Sequence, residues 1–358
     1  FFFKQKTAYE ISTRDWSSDV CSSDLITAGR IRSMMIDSLD PSKKRVFVGS
    51  VSGGLWKTDD ITVSPTSWTP VDDFLDNLAI SGICQDPRPG FQNIMYLCTG
   101  ESYQNIDAVQ GVGVFRSTNG GATWSFLLST TSFTSCTRIL CDFQGNVYLG
   151  TRIGLYRSTN SGDSWVNITP TGLPSSRVCD LEISSTATQA RLHAVFGIFS
   201  AQSYRYTDIP STVNSSTGWS TATTPFISTN NRAEIAVLGN TLYAAPVVLN
   251  GANYQIPTIY KSTDGGDNWA TTLTSPLTTI TGGQCWYNIS LRINPANSNE
   301  CIVGGLDNAI TLDGGGSWTK ISTWAASSGQ YVHADQHDIQ WWDGGNKIIF
   351  GCRSEEHT

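Results

Sequence analysis

His333, Asp335 and His337 form the densest group of chemistry-bearing side chains in the 358-residue chain, an H-x-D-x-H run. On a strand, alternation places all three on one face and Asp338 on the other. Imidazole nitrogens and a carboxylate can hold a metal. Successive ligands on one strand lie about 6.6 Å apart, however, so three of them converge poorly on one ion. The expectation is a polar, water-lined surface, with no metal and no cofactor. His193 is expected to be a strand residue without a catalytic role.

Hydrolysis of a glycosidic bond needs two carboxyl groups, about 5–5.5 Å apart for retention or about 6.5–9.5 Å for inversion. Glu101 and Asp335 are the candidate pair, and Asp307 is a third acid. Nothing in the spacing fixes the distances between them. Tyr103, Asn105 and Asp107 accompany Glu101, Trp286 and Tyr287 form a second group, and Trp324 and Tyr331 precede the histidine run. Rings stack on the C–H faces of sugars while acids and amides bond hydroxyls. This set, with His333 and His337, therefore suits carbohydrate. The plainer alternative for Trp286 and Tyr287 is packing inside the fold. Arg138, Arg177, Arg232 and Arg292 leave an arginine cluster conceivable. There is no Gly-rich phosphate loop, nucleophile elbow or C-x-x-C.

Composition narrows the classes further. A net charge of −7 argues against a general nucleic-acid or anionic-membrane binder. No apolar run is long enough for a transmembrane helix, so no membrane insertion is expected. The 33 glycines and 13 prolines are turn chemistry and favour an all-β fold. Residues 1–25 and 353–358 back-translate into short-read sequencing adapter and are expected to be foreign, which leaves 26–352 to interpret. That interval keeps eight cysteines: Cys84, Cys98, Cys136, Cys141, Cys179, Cys285, Cys301 and Cys352. Export would permit disulfides, for instance Cys84 with Cys98 on neighbouring strands; free buried thiols are the alternative.

Whatever positions these residues must repeat, because the chain repeats. Four segments share the pattern S/T-x-D/N-x-G-x-S/T/N-W: Ser117–Trp124, Ser158–Trp165, Ser262–Trp269 and Thr311–Trp318. Degenerate copies pair Thr58 and Asp60 with Trp68, and Thr207 and Asp208 with Trp219. A short β pattern precedes each copy, at Val46–Gly49, Met95–Cys98, Val147–Gly150, Leu192–Val195, Leu242–Ala245 and Cys301–Gly304. A seventh lies at Ile348–Gly351. The start-to-start spacings are 49, 52, 45, 50, 59 and 47 residues.

Short strands and tight turns at a period near 50 predict a β-propeller. One unit reads in full: Thr137–Phe143 innermost, then Val147–Gly150 and Gly154–Ser158, with Trp165–Ile168 outermost. The repeated motif is then the hairpin joining the third and fourth strands. Asn119, Asn160, Asp264 and Asp313 are expected to accept bonds from turn N–H groups. Trp124, Trp165, Trp269 and Trp318 are expected to bury apolar faces between sheets. The expected fold is all-β, a β-propeller of four-stranded blades, six near-complete plus part of a seventh. Sequence beyond residue 352 is expected to complete that seventh blade; an N-terminal strand closing the ring is the alternative. An unclosed ring would expose aggregation-prone edges.

The repeated motif resembles the Asp-box, or bacterial neuraminidase, repeat. The chain is similar to the propellers of sortilin-type receptors, xyloglucanase-type glycoside hydrolases and photosystem-II assembly factors. GRIRSMMID, VGSVSGGLWKT, CTGES, LRINPANSNECIVGG and HADQHDIQ further resemble secreted propeller proteins of Bacteroidetes-type bacteria, often exported by type IX secretion. The resemblance covers nearly all of 26–352 and implies fold far more than function. In such propellers the Asp-box hairpins occupy one face. The opposite face carries the loops between second and third strands, here 99–112, 196–204 and 245–258, and the loops entering each inner strand. The xyloglucanase-type pattern places an acid where this chain has Val51, in Ser50–Gly54, and its second acid lies in another propeller. The sialidase-type arginine, Tyr/Glu and Arg-Ile-Pro pattern is not matched; Gly29-Arg30-Ile31-Arg32 lacks the proline. The expected function is a secreted or cell-surface recognition module binding polysaccharide or a surface protein through the long-loop face, as a monomeric propeller within a longer chain. The alternatives are a glycoside hydrolase using Glu101 and Asp335, and a purely structural segment.

Overall fold

The computed structural model describes residues 29–103, 108–185, 190–222, 230–272, 277–325 and 330–354. Its strands form an all-β propeller. The inner strands are Gly29–Ile36, Ile80–Gln85, Cys136–Cys141, Val178–Ser185, Asn230–Leu238, Ser290–Asn294 and Gln336–Trp342. Each packs against the inner strands of its two neighbours, including the seventh against the first. Six of them lead antiparallel blades of the four-stranded pattern. In the fourth blade the outermost strand is reduced to a bridge between Tyr206 and Ser220. The seventh blade is a hairpin whose outer strand, Lys347–Ser354, also bonds the start of the first inner strand through Gly29 and Arg30.

The third blade follows the sequence reading, with strands at Cys136–Cys141, Val147–Thr151, Gly154–Ser158 and Val166–Asn167. The glycine ending many of the short β patterns has a packing reason. A Cβ on Gly150 would lie 2.7 Å from Val178, which opens the next inner strand. One on Gly49 would likewise meet Ile80 at 2.4 Å. Gly351 stands in the same relation to Ile31, with 3.0 Å to its side chain, so the seventh blade meets the first as the others meet their successors. Side chains reach across the same junctions. Asp338 accepts the Met34 N–H at 2.7 Å, as Asp180 accepts the Ile235 N–H at 2.9 Å.

The repeated motif forms the hairpin between third and fourth strands in four blades, held by one hydrogen-bond scheme. In the third blade Ser158 Oγ accepts the Gly162 N–H at 2.8 Å, Asn160 Oδ1 accepts the Ser164 N–H at 3.0 Å, and the Trp165 indole donates to Gly162 O at 3.1 Å. Ser117, Ser262 and Thr311 repeat the first bond, and Asn119, Asp264 and Asp313 the second. Trp124 and Trp269 repeat the third, whereas the Trp318 indole donates to Thr272 Oγ1. The turn needs φ > 0 at its centre: Gly162 has φ 89°, and Ser161 before it is left-handed too, at 59°.

Three expectations change. The segment 245–258 is not simply a loop: the strand Thr241–Asn250 runs on and folds back on Asn253–Gln255. His333 and Asp335 lie ahead of the seventh inner strand, which starts at Gln336, so strand alternation does not relate them to His337. The register also breaks between Gln336 and Asp338, where His337 meets Arg32 and Asp338 accepts from Arg292. Cys84 meets the sulfur of Cys141, at 3.4 Å, on the next blade rather than that of Cys98.

Candidate functional site

The register break in the seventh inner strand recurs. It falls between Ile31 and Ser33, Ile80 and Gly82, Cys136 and Arg138, Val178 and Asp180, and Asn230 and Arg232, each near the start of its inner strand. A bulge adds a residue and re-aims the side chains around it. At five of the six breaks a charged residue sits at or beside the bulge: Arg32, Arg138, Asp180, Arg232 and Asp338; the second-blade break holds Ser81 instead.

Arg30 and Arg32 hold Glu101: Arg32 Nη2 lies 2.9 Å from Oε1, and Arg30 Nη2 lies 3.2 Å from Oε2. Arg138 pairs with Asp180 at 2.9 Å and with Glu234 at 3.4 Å, and Arg232 with Glu234. Arg292 joins Glu182 at 2.6 Å and Asp338 at 3.2 Å. Five arginines therefore meet five carboxylates along the axis. A buried charge is tolerable only when paired. Burial and the Asp180 charge push the Glu234 carboxyl up, to about 7, against the pull of Arg232 and Arg138. Of the four arginines from which a cluster is conceivable, Arg138, Arg232 and Arg292 join this network, where carboxylates occupy them, whereas Arg177 lies ahead of the fourth inner strand, within the field of Arg152.

A small cavity at the channel mouth is lined by Arg32, Glu101, Ser102, Arg138, Glu234 and His337, among others. Tyr103 is buried there, its ring 3.9 Å from the Arg232 guanidinium and 5.1 Å from that of Arg32, and burial pushes its phenol up. It belongs to the plug rather than to an open face. Asn105 and Asp107 lie outside the described residues.

The charged plug also fixes the segment that opens the sixth inner strand. Arg32 and Arg232 donate to Tyr287 O, Arg232 reaches Trp286 O at 3.4 Å, and Arg30 donates to the Tyr287 hydroxyl at 3.1 Å. Asp335 Oδ1 holds the same segment from the other side, accepting from Gln284 at 3.1 Å and from Asn288. Asp335 has φ 65°, a conformation aspartate tolerates better than most residues. Tyr287 is buried and meets His337 edge-on at 4.8 Å.

Trp286, by contrast, is half-buried and joins an aromatic platform. Its ring centroid lies 5.8 Å from Phe199 and 6.5 Å from Tyr254, and those two are 6.3 Å apart. Phe199 comes from a fourth-blade loop, Tyr254 from the fifth-blade hairpin and Trp286 from the segment entering the sixth. Phe199 keeps 39% of its surface exposed. The hairpin docks on that segment, with the Tyr254 N–H donating to Gly283 O at 2.8 Å. Sequence reasoning missed Phe199 and Tyr254, as well as the anchors Arg30, Arg32, Gln284 and Asn288. Phe199 and Tyr254 lie within the segments 196–204 and 245–258, but no spacing in the sequence says which residues there would meet Trp286.

The remaining candidates lie elsewhere on the fold. Asp307 is paired with Lys320 at 2.6 Å and accepts the Trp324 N–H at 2.7 Å, so it anchors the loop that carries Trp324. Trp324 is 47% exposed. Tyr331 and His333 meet edge-on at 6.5 Å. No group of three or more His, Cys, Asp or Glu among the described residues is arranged to hold a metal. None of the helices there is long and apolar enough to cross a membrane.

No family model and no curated protein matches the chain. Solved structures do. A GH74 enzyme of Niastella koreensis superposes with a TM-score of 0.63 at 18% identity, over 91% of this chain and 51% of that one, so this chain spans about half of that enzyme. YCF48 bound to D1 peptide gives 0.59 at 18% identity, over 91% and 92%. The extracellular domain of BT4673, a putative one-component system of B. thetaiotaomicron, gives 0.63 at 11% identity, over 91% and 38%. At such identities the likeness establishes the β-propeller and leaves activity to be argued from the site.

Proposed function

We propose that this chain is a recognition module of the extracellular space or cell surface that binds polysaccharide across the Phe199–Tyr254–Trp286 platform. The observation that carries the reading is the convergence of three rings from three blades on one accessible patch. Sugar rings present C–H faces to such a surface. The anchoring of Trp286 and Tyr287 by arginines and Asp335 supports a platform set before the ligand arrives, which lowers the cost of binding. The neighbours named for a glycoside hydrolase family and for an extracellular domain agree with a surface setting. The repeated hairpins agree with Asp-box blades, and the turn N–H bonds they accept support a structural role for Asn119, Asn160, Asp264 and Asp313.

The hydrolase reading has less support. To work as an acid, Glu101 would have to leave two buried guanidiniums unpaired, a cost of several kcal/mol. The test measures retention and reducing-end release in one panel of plant, algal and host polysaccharides. Saturable retention without release, weakened about tenfold by Trp286→Ala, is the expected result. Release abolished by Glu101→Ala or Asp335→Ala would make the chain a hydrolase. Retention indifferent to Trp286→Ala and Phe199→Ala would overturn the platform and favour a protein partner or a structural role.

A further inference from the structure

Four of the eight described cysteines gather where the second blade meets the third. Cys84 and Cys98 lie on the first and second strands of the second blade, and Cys136 and Cys141 at the two ends of the third inner strand. They form two couples across the junction. Cys136 hydrogen-bonds the Cys98 thiol, and both are fully buried. The Cys84 and Cys141 sulfurs are 3.4 Å apart, and Cys141 is partly exposed. All eight are free thiols in this structure.

We propose that Cys84 and Cys141 are a disulfide-forming site that staples the second blade to the third in an oxidising compartment. A disulfide bond is about 2.05 Å long, so the sulfurs must close by little more than 1 Å. A side-chain rotation at the partly exposed Cys141 can supply that without moving a strand. Access sets the order of events. Burial pushes the Cys84 thiol well up, which disfavours its thiolate, so Cys141 attacks the oxidant first. With oxidised glutathione, Cys141 sulfur bonds one glutathione sulfur and releases the other as a thiol. Cys84 then displaces the second glutathione, which leaves as a thiol, while Cys84 and Cys141 share the new S–S bond. The two protons and two electrons lost by the cysteines are those gained by the two glutathiones. The buried couple, Cys98 and Cys136, offers no entry for such an oxidant.

The test treats the full folded chain with oxidised glutathione, blocks free thiols and maps peptides without reduction. Trypsin with an Asp-specific protease cuts between Cys136 and Cys141 at Arg138 and between Cys84 and Cys98 at Asp86, so the couples are distinguishable. The expected result is a Cys84–Cys141 linked peptide, with titratable thiols falling from nine to seven. The melting midpoint is expected to rise by about 5 °C on oxidation. The rise should vanish in Cys141→Ala and persist in Cys98→Ala. A Cys98–Cys136 linkage, or nine free thiols after treatment at the concentration that oxidises a control dithiol, would overturn the proposal.

Discussion

Glu101 shows what a buried carboxylate does when two guanidiniums claim it. Arg30 and Arg32 approach its two oxygens, and the same arginines hold Tyr287. Removing the carboxylate strands both cations in the channel mouth. Glu101→Ala is therefore expected to cost about 3 kcal/mol of stability, read from urea unfolding. An Arg32→Ala variant should lower stability as well, whereas a purely catalytic acid would lose turnover and keep its stability.

His193 makes the corresponding case for a neutral group. It is buried between the Tyr204 hydroxyl at 2.7 Å and Ser184 Oγ at 3.1 Å, and burial with the Arg191 charge pushes its pKa down to about 3 from 6.5. A folded-state value below the unfolded one favours the folded chain while the ring is neutral. That contribution is full above pH about 6.5 and is lost as pH falls toward 3. His193→Gln should flatten the stability-versus-pH curve across this window, whatever it costs at neutral pH. Chemical unfolding at stepped pH checks the slope; an unchanged slope would show that other groups set it.

At the scale of the element, the recurring glycine at the end of the second strand matters more than its hairpins suggest. The Gly150 position lies against Val178, and a side chain there would force two blades apart. Gly150→Val is expected to destabilise by about 2 kcal/mol or more through overpacking, measured by thermal or urea denaturation. The hairpin residues are more forgiving. Asn160→Ala removes a turn acceptor at the surface and should cost about 1 kcal/mol, a difference that separates junction from turn. The motif that is easiest to see in the sequence is thus not the one whose loss should cost most.

For the whole molecule, closure rests on the seventh hairpin. Gly351 packs on Ile31 and Asp338 takes the Met34 N–H, both within 26–352; the added bonds to Gly29 and Arg30 come from Ser354 and Arg353, in the segment expected to be foreign. Removing residues from 346 onward uncovers the seventh inner strand and part of the first. Such a chain is expected to associate, because unpaired strand edges recruit other chains. Size-exclusion chromatography with light scattering reads the outcome; a stable monomer would mean that the inner ring closes without the outer strand.

The local chemistry of the chain determined its architecture. Period, turn residues and the Gly-ended β patterns act over a few neighbouring positions, so they are legible in sequence and the blades formed where they predicted. The third-blade strands, the turn bonds of Asn160 and the burial of Trp124 follow directly from that local order. The site is different in kind. Glu101 with Arg30 and Arg32, or Phe199 with Tyr254 and Trp286, are meetings of residues from different blades. Their geometry depends on ring closure and on bulges that shift register by one residue, and a one-residue shift reverses which way a side chain points. The H-x-D-x-H run departs from the alternation its spacing predicts for that reason: strand alternation holds only within a continuous strand, and this strand begins after Asp335 and breaks at His337. Short-range pattern is enough to specify the kind of ring. Only the tertiary structure decided which side chains face each other across it, because those contacts are set by the closure of the whole circle and not by any stretch of chain.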